Sequence, residues 1–137
     1  MTEGGQFVER LKEALGRSGP ADCRIIGSDI TSPYSATVVV EWVGVRAKFL
    51  FDRYDYWIEV AAPSEPNEWL YLPYVLGADE SAKSDGPPFS VAKDWDGLLR
   101  MMGELVRSLP RLQRLLAGDA YENTKRSVSA IEQKLAQ

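Results

Sequence analysis

The sequence predicts an α+β fold in which an N-terminal helix and two or three C-terminal helices pack on an antiparallel meander sheet of about five strands. Two observations carry this prediction. Apolar residues alternate with polar ones between residues 37 and 60, as in strands, and recur every three or four residues towards both ends, as in helices. Because 137 residues is a common size for one domain, we expect a single α+β domain over residues 1–137.

The first element is a short amphipathic helix. Phe7, Val8, Leu11 and Leu15 follow helical spacing, and the Gly-, Ser- and Pro-rich segment 16–20 ends the pattern. A strand is predicted next over residues 23–27, where Cys23 is expected to be buried as a small apolar residue. The Ser-, Asp- and Pro-containing segment 28–35 indicates a turn, and residues 37–43 indicate a second strand.

Two hairpins set the strand register in the middle of the chain. A two-residue turn at positions 43–44 and a second turn over residues 52–55 bring apolar residues opposite apolar ones and acidic residues opposite basic ones. The predicted pairs are Trp42 with Val45, Glu41 with Arg46, Val40 with Ala47, Val38 with Phe49, Phe51 with Tyr56, Leu50 with Trp57, Phe49 with Ile58, Lys48 with Glu59 and Ala47 with Val60. A slip of one residue would reverse the faces of every pair.

The last strand and the helices follow from local signals. A turn over residues 63–67 precedes a strand over residues 68–72, and the composition of residues 77–88 predicts a mobile loop. Asp94 or Ser90 is expected to cap a long helix that Pro110 kinks or restarts and that ends near Gly118. Asp119 is expected to cap a final helix.

The predicted sheet has two faces of different composition. The first is an ordinary core, formed by Val38, Val40, Trp42, Phe49, Phe51, Ile58, Val60, Leu70 and Leu72. The second carries Lys48, Leu50, Trp57, Glu59, Trp69 and Tyr71, and is too aromatic for simple exposure to solvent. Either a C-terminal helix covers this second face or a partner binds there.

Charge is concentrated in the same part of the chain. Residues 51–89 contain eight acidic and two basic residues, a net charge of −6, and eight of the 14 aromatic residues. Acidic, aromatic surfaces suit a basic protein partner, because long-range attraction speeds encounter and flat rings provide contact area. Acidic residues in turns are also common as solvated turn formers. The predicted partner-binding residues are Leu50, Asp52, Tyr54, Asp55, Trp57, Glu59, Glu68, Trp69 and Tyr71.

Several functional classes are disfavoured by what the sequence lacks. It contains no histidine, which excludes histidine-activated nucleophiles and zinc sites of ordinary composition, and no segment matches a phosphate-binding glycine motif. We expect no enzyme activity, no cofactor and no metal. The negative net charge disfavours nucleic acid, and the lack of a signal peptide or membrane-spanning run favours the cytoplasm without membrane contact.

The function that we expect from these features is protein binding. Its most specific form is a small bacterial inhibitor of the immunity type, which masks a basic toxin domain with the acidic aromatic surface. One alternative is a secretion chaperone or a phage-derived structural subunit. A second is a small-molecule-binding protein or enzyme with a pocket between the sheet and the long helix, lined by Trp42, Tyr56, Trp95 and Met102. The sequence leaves the oligomeric state open.

Overall fold

The computed structural model describes residues 2–19, 22–42, 44–77 and 91–136. It confirms the α+β class, with one N-terminal helix, a five-stranded antiparallel meander and helices packed against it. The elements in chain order are α1 Glu3–Ser18, β1 Arg24–Ser32, β2 Ser35–Trp42, β3 Val45–Asp52, β4 Asp55–Ala61, β5 Leu70–Tyr71, α2 Leu72–Gly77, α3 Trp95–Arg107, α4 Leu109–Leu115 and α5 Gly118–Ala136.

The sheet has the strand order β1-β2-β3-β4-β5, and every neighbouring pair is antiparallel. All nine predicted pairs of the two hairpins are confirmed, from Trp42 opposite Val45 to Ala47 opposite Val60. Gly44 has a φ of +82°, a conformation that glycine adopts without steric cost, and it lies in the turn between β2 and β3. The turns and the apolar alternation therefore agree on one register.

The prediction for the first strand was wrong in two respects. β1 does not end at Gly27 but continues to Ser32, through most of the segment predicted as a turn. Cys23 precedes the strand and is half-buried, and β1 itself is exposed along almost its whole length. An edge strand covered little by other elements does not need an apolar alternation, so polar residues could extend it without a visible pattern.

The fifth strand is shorter than predicted, because α2 begins at Leu72. Proline in the first turn of a helix removes no intrahelical hydrogen bond, so Pro73 is compatible with this start. Leu70 and Leu72 are buried, while Trp69 and Tyr71 are half-buried, as the predicted alternation requires. Beyond Gly77, the predicted loop lies outside the described residues.

The C-terminal helices follow the predicted boundaries closely. Asp94 caps α3, where its Oδ1 accepts a hydrogen bond of 2.7 Å from the Gly97 N–H. The helix is interrupted at Ser108, and Pro110 lies in the first turn of the restarted helix α4. One correction concerns α5, which begins at Gly118 itself, so that Asp119 lies within the first turn rather than at the cap.

One core occupies a single face of the sheet. Buried apolar side chains from all five helices belong to the same cluster as the inward residues of β2, β3 and β4. The predicted core residues are all buried. At the β3–β4 end of this core, Phe7 of α1 stacks on Phe51 at a centroid distance of 5.4 Å, and Tyr56 and Trp95 complete the ring cluster.

Candidate functional site

The opposite face of the sheet, which we call the outer face, is half-buried throughout and contributes no residue to the core cluster. It consists of Thr37, Val39, Glu41, Arg46, Lys48, Leu50, Trp57, Glu59, Trp69 and Tyr71. Within the described residues, each helix contributes buried apolar side chains to the core on the other side of the sheet. In the described part of the chain, therefore, no C-terminal helix covers this face.

Lys48 occupies the centre of the outer face. Its Nζ lies 3.9 Å from Glu59 Oε1 and 4.4 Å from the centroid of the Trp69 ring. Trp69 precedes β5, so its ring reaches across β4 to contact a residue of β3. These two contacts neutralise the cation and fix the orientation of one large aromatic side chain.

Apolar and aromatic groups lie on both sides of this centre. Leu50 is directly opposite Trp57 in the register of β3 and β4, and Glu59 is opposite Tyr71. Tyr71 packs edge-on against Tyr74 of α2 with a centroid distance of 4.8 Å. Burial, with a smaller contribution from Tyr74, raises the pKa of Tyr71, so its phenol is neutral at physiological pH.

The outer face ends at the β3–β4 turn with two carboxylates, Asp52 and Asp55. Asp52 lies opposite Asp55, and each carboxylate has a partner that offsets this like-charge contact. Ser35 Oγ donates a hydrogen bond of 2.7 Å to Asp52, and Lys93 Nζ lies 2.6 Å from Asp55 Oδ1. Between them, Tyr54 is the most exposed large hydrophobic side chain described, with 80% of its surface accessible.

Glu68 belongs to a different structural unit. Together with Glu65 it binds Lys125 of α5, at N···O distances of 3.4 Å and 3.1 Å. Tyr121 donates a further hydrogen bond of 3.1 Å to Glu65 Oε2. This cluster joins the β4–β5 connection to α5, so Glu68 stabilises the position of that helix.

The pKa values of the two carboxyl groups in this cluster shift in opposite directions. Interaction with Glu68 and then with Lys125 lowers the pKa of Glu65, whereas Glu65 raises the pKa of Glu68. Burial, followed by the hydrogen bond to Glu65, raises the pKa of Tyr121 to about 12. Glu65 also raises the pKa of Lys125, which therefore stays charged at all physiological pH values.

The acidic residues of segment 51–89 are less free than their number implies. Asp55, Glu59, Glu65 and Glu68 each lie within ion-pair distance of a lysine. Two of these lysines, Lys93 and Lys125, lie far away in the sequence. The remaining carboxylates of the segment are Asp52, which accepts the Ser35 hydroxyl, and Asp79, Glu80 and Asp85, which lie outside the described residues.

At the other end of the outer face, two arginines form ion pairs with one carboxylate. Glu41 accepts from Arg24 and from Arg46, both at 2.8 Å, and Arg46 and then Arg24 lower its pKa. An open groove of ≈ 550 Å³ adjoins this ion pair and is also lined by Trp42 and Pro66. Charge therefore differs between the two ends: at the β3–β4 turn Arg53 and Lys93 balance Asp52 and Asp55, whereas near the β2–β3 turn Arg24 and Arg46 exceed Glu41 by one positive charge.

The residues of the predicted pocket do not come together. Tyr56 and Trp95 are in ring contact in the core, and Met102 is buried there. Trp42 lies at the opposite end of the strands, since its partner Val45 is six residues along β3 from Phe51, the partner of Tyr56. At about 3.3 Å per residue this separates the two ends by roughly 20 Å.

Of the nine predicted binding residues, Leu50, Trp57, Glu59, Trp69 and Tyr71 share the outer face, Asp52, Tyr54 and Asp55 lie at its β3–β4 end, and Glu68 lies beside α5. Sequence reasoning missed Tyr74, because α2 was not predicted, and left Lys48 out of the site. The Lys48–Glu59 pair was visible in the predicted register, but the Trp69 contact depends on the path of the β4–β5 connection.

In the ranges that the structure describes, no helix is long and apolar enough to cross a membrane, and no three Cys, Asp or Glu side chains are grouped to hold a metal ion. Comparison with protein-family models, curated proteins and solved structures finds no match for this chain.

Proposed function

We propose that this chain is a non-enzymatic protein-binding domain that contacts its partner through the outer face of the sheet. The observation that carries this proposal is a row of half-buried apolar and aromatic side chains, Leu50, Trp57, Trp69 and Tyr71, on a face that supplies nothing to the core. Clustered aromatic side chains of this kind dominate the affinity of protein interfaces, because they bury a large area with few rotatable bonds.

The contacts within the outer face order its aromatic side chains before a partner binds. Lys48 and Tyr74 hold Trp69 and Tyr71 in defined orientations, and both rings are attached to a paired strand or to the residue before it. Side chains that are already ordered lose less conformational entropy on binding. The four apolar side chains would then act as the centre of the interface, with Asp52, Tyr54 and Asp55 at its rim.

The charge of the chain favours a basic partner. The net charge is −4, and the exposed carboxylate end of the outer face lies at the β3–β4 turn. In its most specific form, the proposal is that this chain is a small bacterial cytoplasmic inhibitor of the immunity type, which masks a basic toxin domain. Since several carboxylates already have lysine partners, apolar contact supplies most of the affinity, and salt weakens the complex only moderately.

The test is capture of a partner from extracts of the source organism with tagged variants. The wild type is compared with Trp57→Ala/Trp69→Ala, which truncates the aromatic centre, and with Asp52→Asn/Asp55→Asn, which removes two rim charges. Glu9→Gln/Glu122→Gln is the matched control, because it removes the same charge from exposed positions on α1 and α5. We expect one basic protein that the control retains, the rim variant binds more weakly and the aromatic variant loses.

Folding must be verified for each variant by its melting temperature, because loss of binding by an unfolded chain has no meaning. Equal capture of the same protein by the wild type and by a folded Trp57→Ala/Trp69→Ala variant would contradict the assignment of the outer face. Capture of an acidic protein would be compatible with binding at the outer face but would contradict the expectation of a basic partner.

A further inference from the structure

The first strand of the sheet is a long open edge. Among the described residues, the nine-residue strand β1 pairs only with β2, through seven residue pairs between Arg24 and Ser32. The other edge is protected, since β5 pairs with one end of β4 and Ala92 makes two backbone hydrogen bonds of 2.9 Å to Tyr56 near the other. The two edges of the sheet therefore differ in their capacity to accept another strand.

β1 has few of the features that keep an open edge from pairing, with one charged residue near its start and one near its middle, Arg24 and Asp29. It contains no proline and no lysine, and Ile25, Ile26 and Ile30 expose 39%, 39% and 51% of their surfaces. Two register shifts relative to β2 lie near its ends, between Ile25 and Gly27 and between Ile30 and Ser32. The segment between them is regular, and exposed apolar edge strands of this kind pair with further strands.

From these features we infer that β1 pairs with β1 of a second copy of this chain, so that two sheets join into one of ten strands. This dimer would be antiparallel and would have a two-fold axis perpendicular to the sheet, which keeps the core of both copies on the same side. In such an arrangement a residue must face one that points to the same side of the sheet. The axis consequently passes between two copies of one residue.

The charge and apolar pattern of β1 selects that residue. With the axis at Ser28, Gly27 faces Asp29, and Ile26, which lies at the first register shift, is aligned with Ile30, so that two apolar pairs can form and no like charges meet. With the axis at Asp29, two carboxylates would lie opposite each other, which is unfavourable. With the axis at Gly27, Asp29 would face Ile25. Of these three registers, the Ser28-centred one is the most self-complementary.

The inference is independent of binding at the outer face, which lies on β2 to β5. Its consequence for that function is geometric, because a ten-stranded sheet would present two outer faces on the same side. A dimer would then bind two partner molecules, or one partner with two equivalent sites.

The oligomeric state in solution is the first test. Sedimentation equilibrium at high micromolar concentration should give twice the chain mass of 15.3 kDa. Ser28→Lys places two ammonium groups opposite each other at the axis, so it should give a folded monomer, with an unchanged circular dichroism spectrum. A wild type that sediments as a monomer at this concentration would overturn the inference.

Disulfide cross-linking tests the register itself. In a Cys23→Ser background, which removes the single native cysteine, Ser28→Cys should form a covalent dimer on mild oxidation, because opposed Cα atoms lie about 4.5–5.5 Å apart in antiparallel pairs. Gly27→Cys is the matched control: a side chain there meets no atom within 4 Å of the same chain and should be tolerated, and in the proposed register it faces Asp29 of the second copy, so it should not cross-link. A dimer that cross-links equally through both positions, or through neither, would contradict the β1 interface.

Discussion

The ammonium nitrogen of Lys48 lies 4.4 Å from the centroid of the Trp69 ring, on the face of the sheet opposite the core. This contact connects β3 with the residue before β5 and spans the strand between them. A cation held over an aromatic face is attracted by the ring quadrupole and also restricts the ring. Trp69 is therefore oriented before any partner binds.

Replacing Lys48 by methionine tests how much this contact stabilises the fold. Lys48→Met keeps an unbranched apolar stem but removes both the ring contact and the ion pair with Glu59. Because the Lys48 side chain is only about a quarter exposed (23%), we expect a loss of about 1 kcal/mol in the free energy of unfolding by urea. A loss as large as that of a core truncation would show that Lys48 supports the sheet rather than the surface.

Adjacent residues of β3 should differ sharply in their contribution to stability. Phe49 is fully buried, whereas Leu50 is half-buried on the outer face. Phe49→Ala should lower the free energy of unfolding by roughly 3–5 kcal/mol, and Leu50→Ala by about 1 kcal/mol, because only the first leaves a cavity. Urea denaturation of both variants measures the difference, and equal losses would refute the assignment of the two faces.

The Tyr121 hydroxyl predicts a stability change at alkaline pH. Its pKa of about 12 exceeds the ordinary value of 10, so the folded state favours the neutral phenol. The corresponding stabilisation is complete below pH 10 and is lost as the pH rises towards 12. Lys125, whose pKa is also raised, adds a loss in the same direction.

Tyr121→Phe removes the hydroxyl and keeps the ring. We expect it to lower the free energy of unfolding at neutral pH by about 1 kcal/mol, since Glu65 loses a hydrogen bond. In an ultraviolet difference titration, the variant should also lack the phenol that ionises near pH 12 in the wild type. Tyr54→Phe is the stability control, because Tyr54 is exposed and its replacement should leave the free energy of unfolding unchanged.

The β3–β4 turn contains a residue in an unfavourable conformation. Arg53 has a φ of 61°, and a positive φ at the first central position of a two-residue hairpin turn favours glycine. Arg53→Gly should therefore raise the free energy of unfolding by about 0.5 kcal/mol. Tyr54→Gly, at the second central position, where φ is not positive, should lower it. Thermal denaturation distinguishes the two, and a decrease for Arg53→Gly would contradict the turn assignment.

The middle of the fold was predictable because two constraints coincide there. Two-residue turns and strict apolar alternation each set the register of β2, β3 and β4, and a one-residue error in either would expose Val40 or Phe49. The extension of β1 to Ser32 was not predictable in this way, since an exposed edge strand has no alternation to recognise. α2 was missed because it is short, begins with a residue predicted as strand and is stabilised by packing on α5.

The candidate site was predicted at the level of faces but not of contacts. The alternation placed Leu50, Trp57 and Tyr71 on one side of the sheet, and the structure brings them together. The lysines that partner Asp55 and Glu68 are separated from them by 38 and 57 residues, and no local pattern signals such pairs. The excess of negative charge along the sequence is therefore partly neutralised in space.

The measurement that tests the central claim most directly is the affinity of the captured partner for the wild type and for Trp57→Ala/Trp69→Ala, determined by isothermal titration calorimetry. If the outer face is the binding surface, truncating two central aromatic side chains should weaken binding by about 30-fold or more. The Glu9→Gln/Glu122→Gln control should bind as the wild type does. An affinity of the folded aromatic variant equal to that of the wild type would contradict the proposal that the outer face binds the partner.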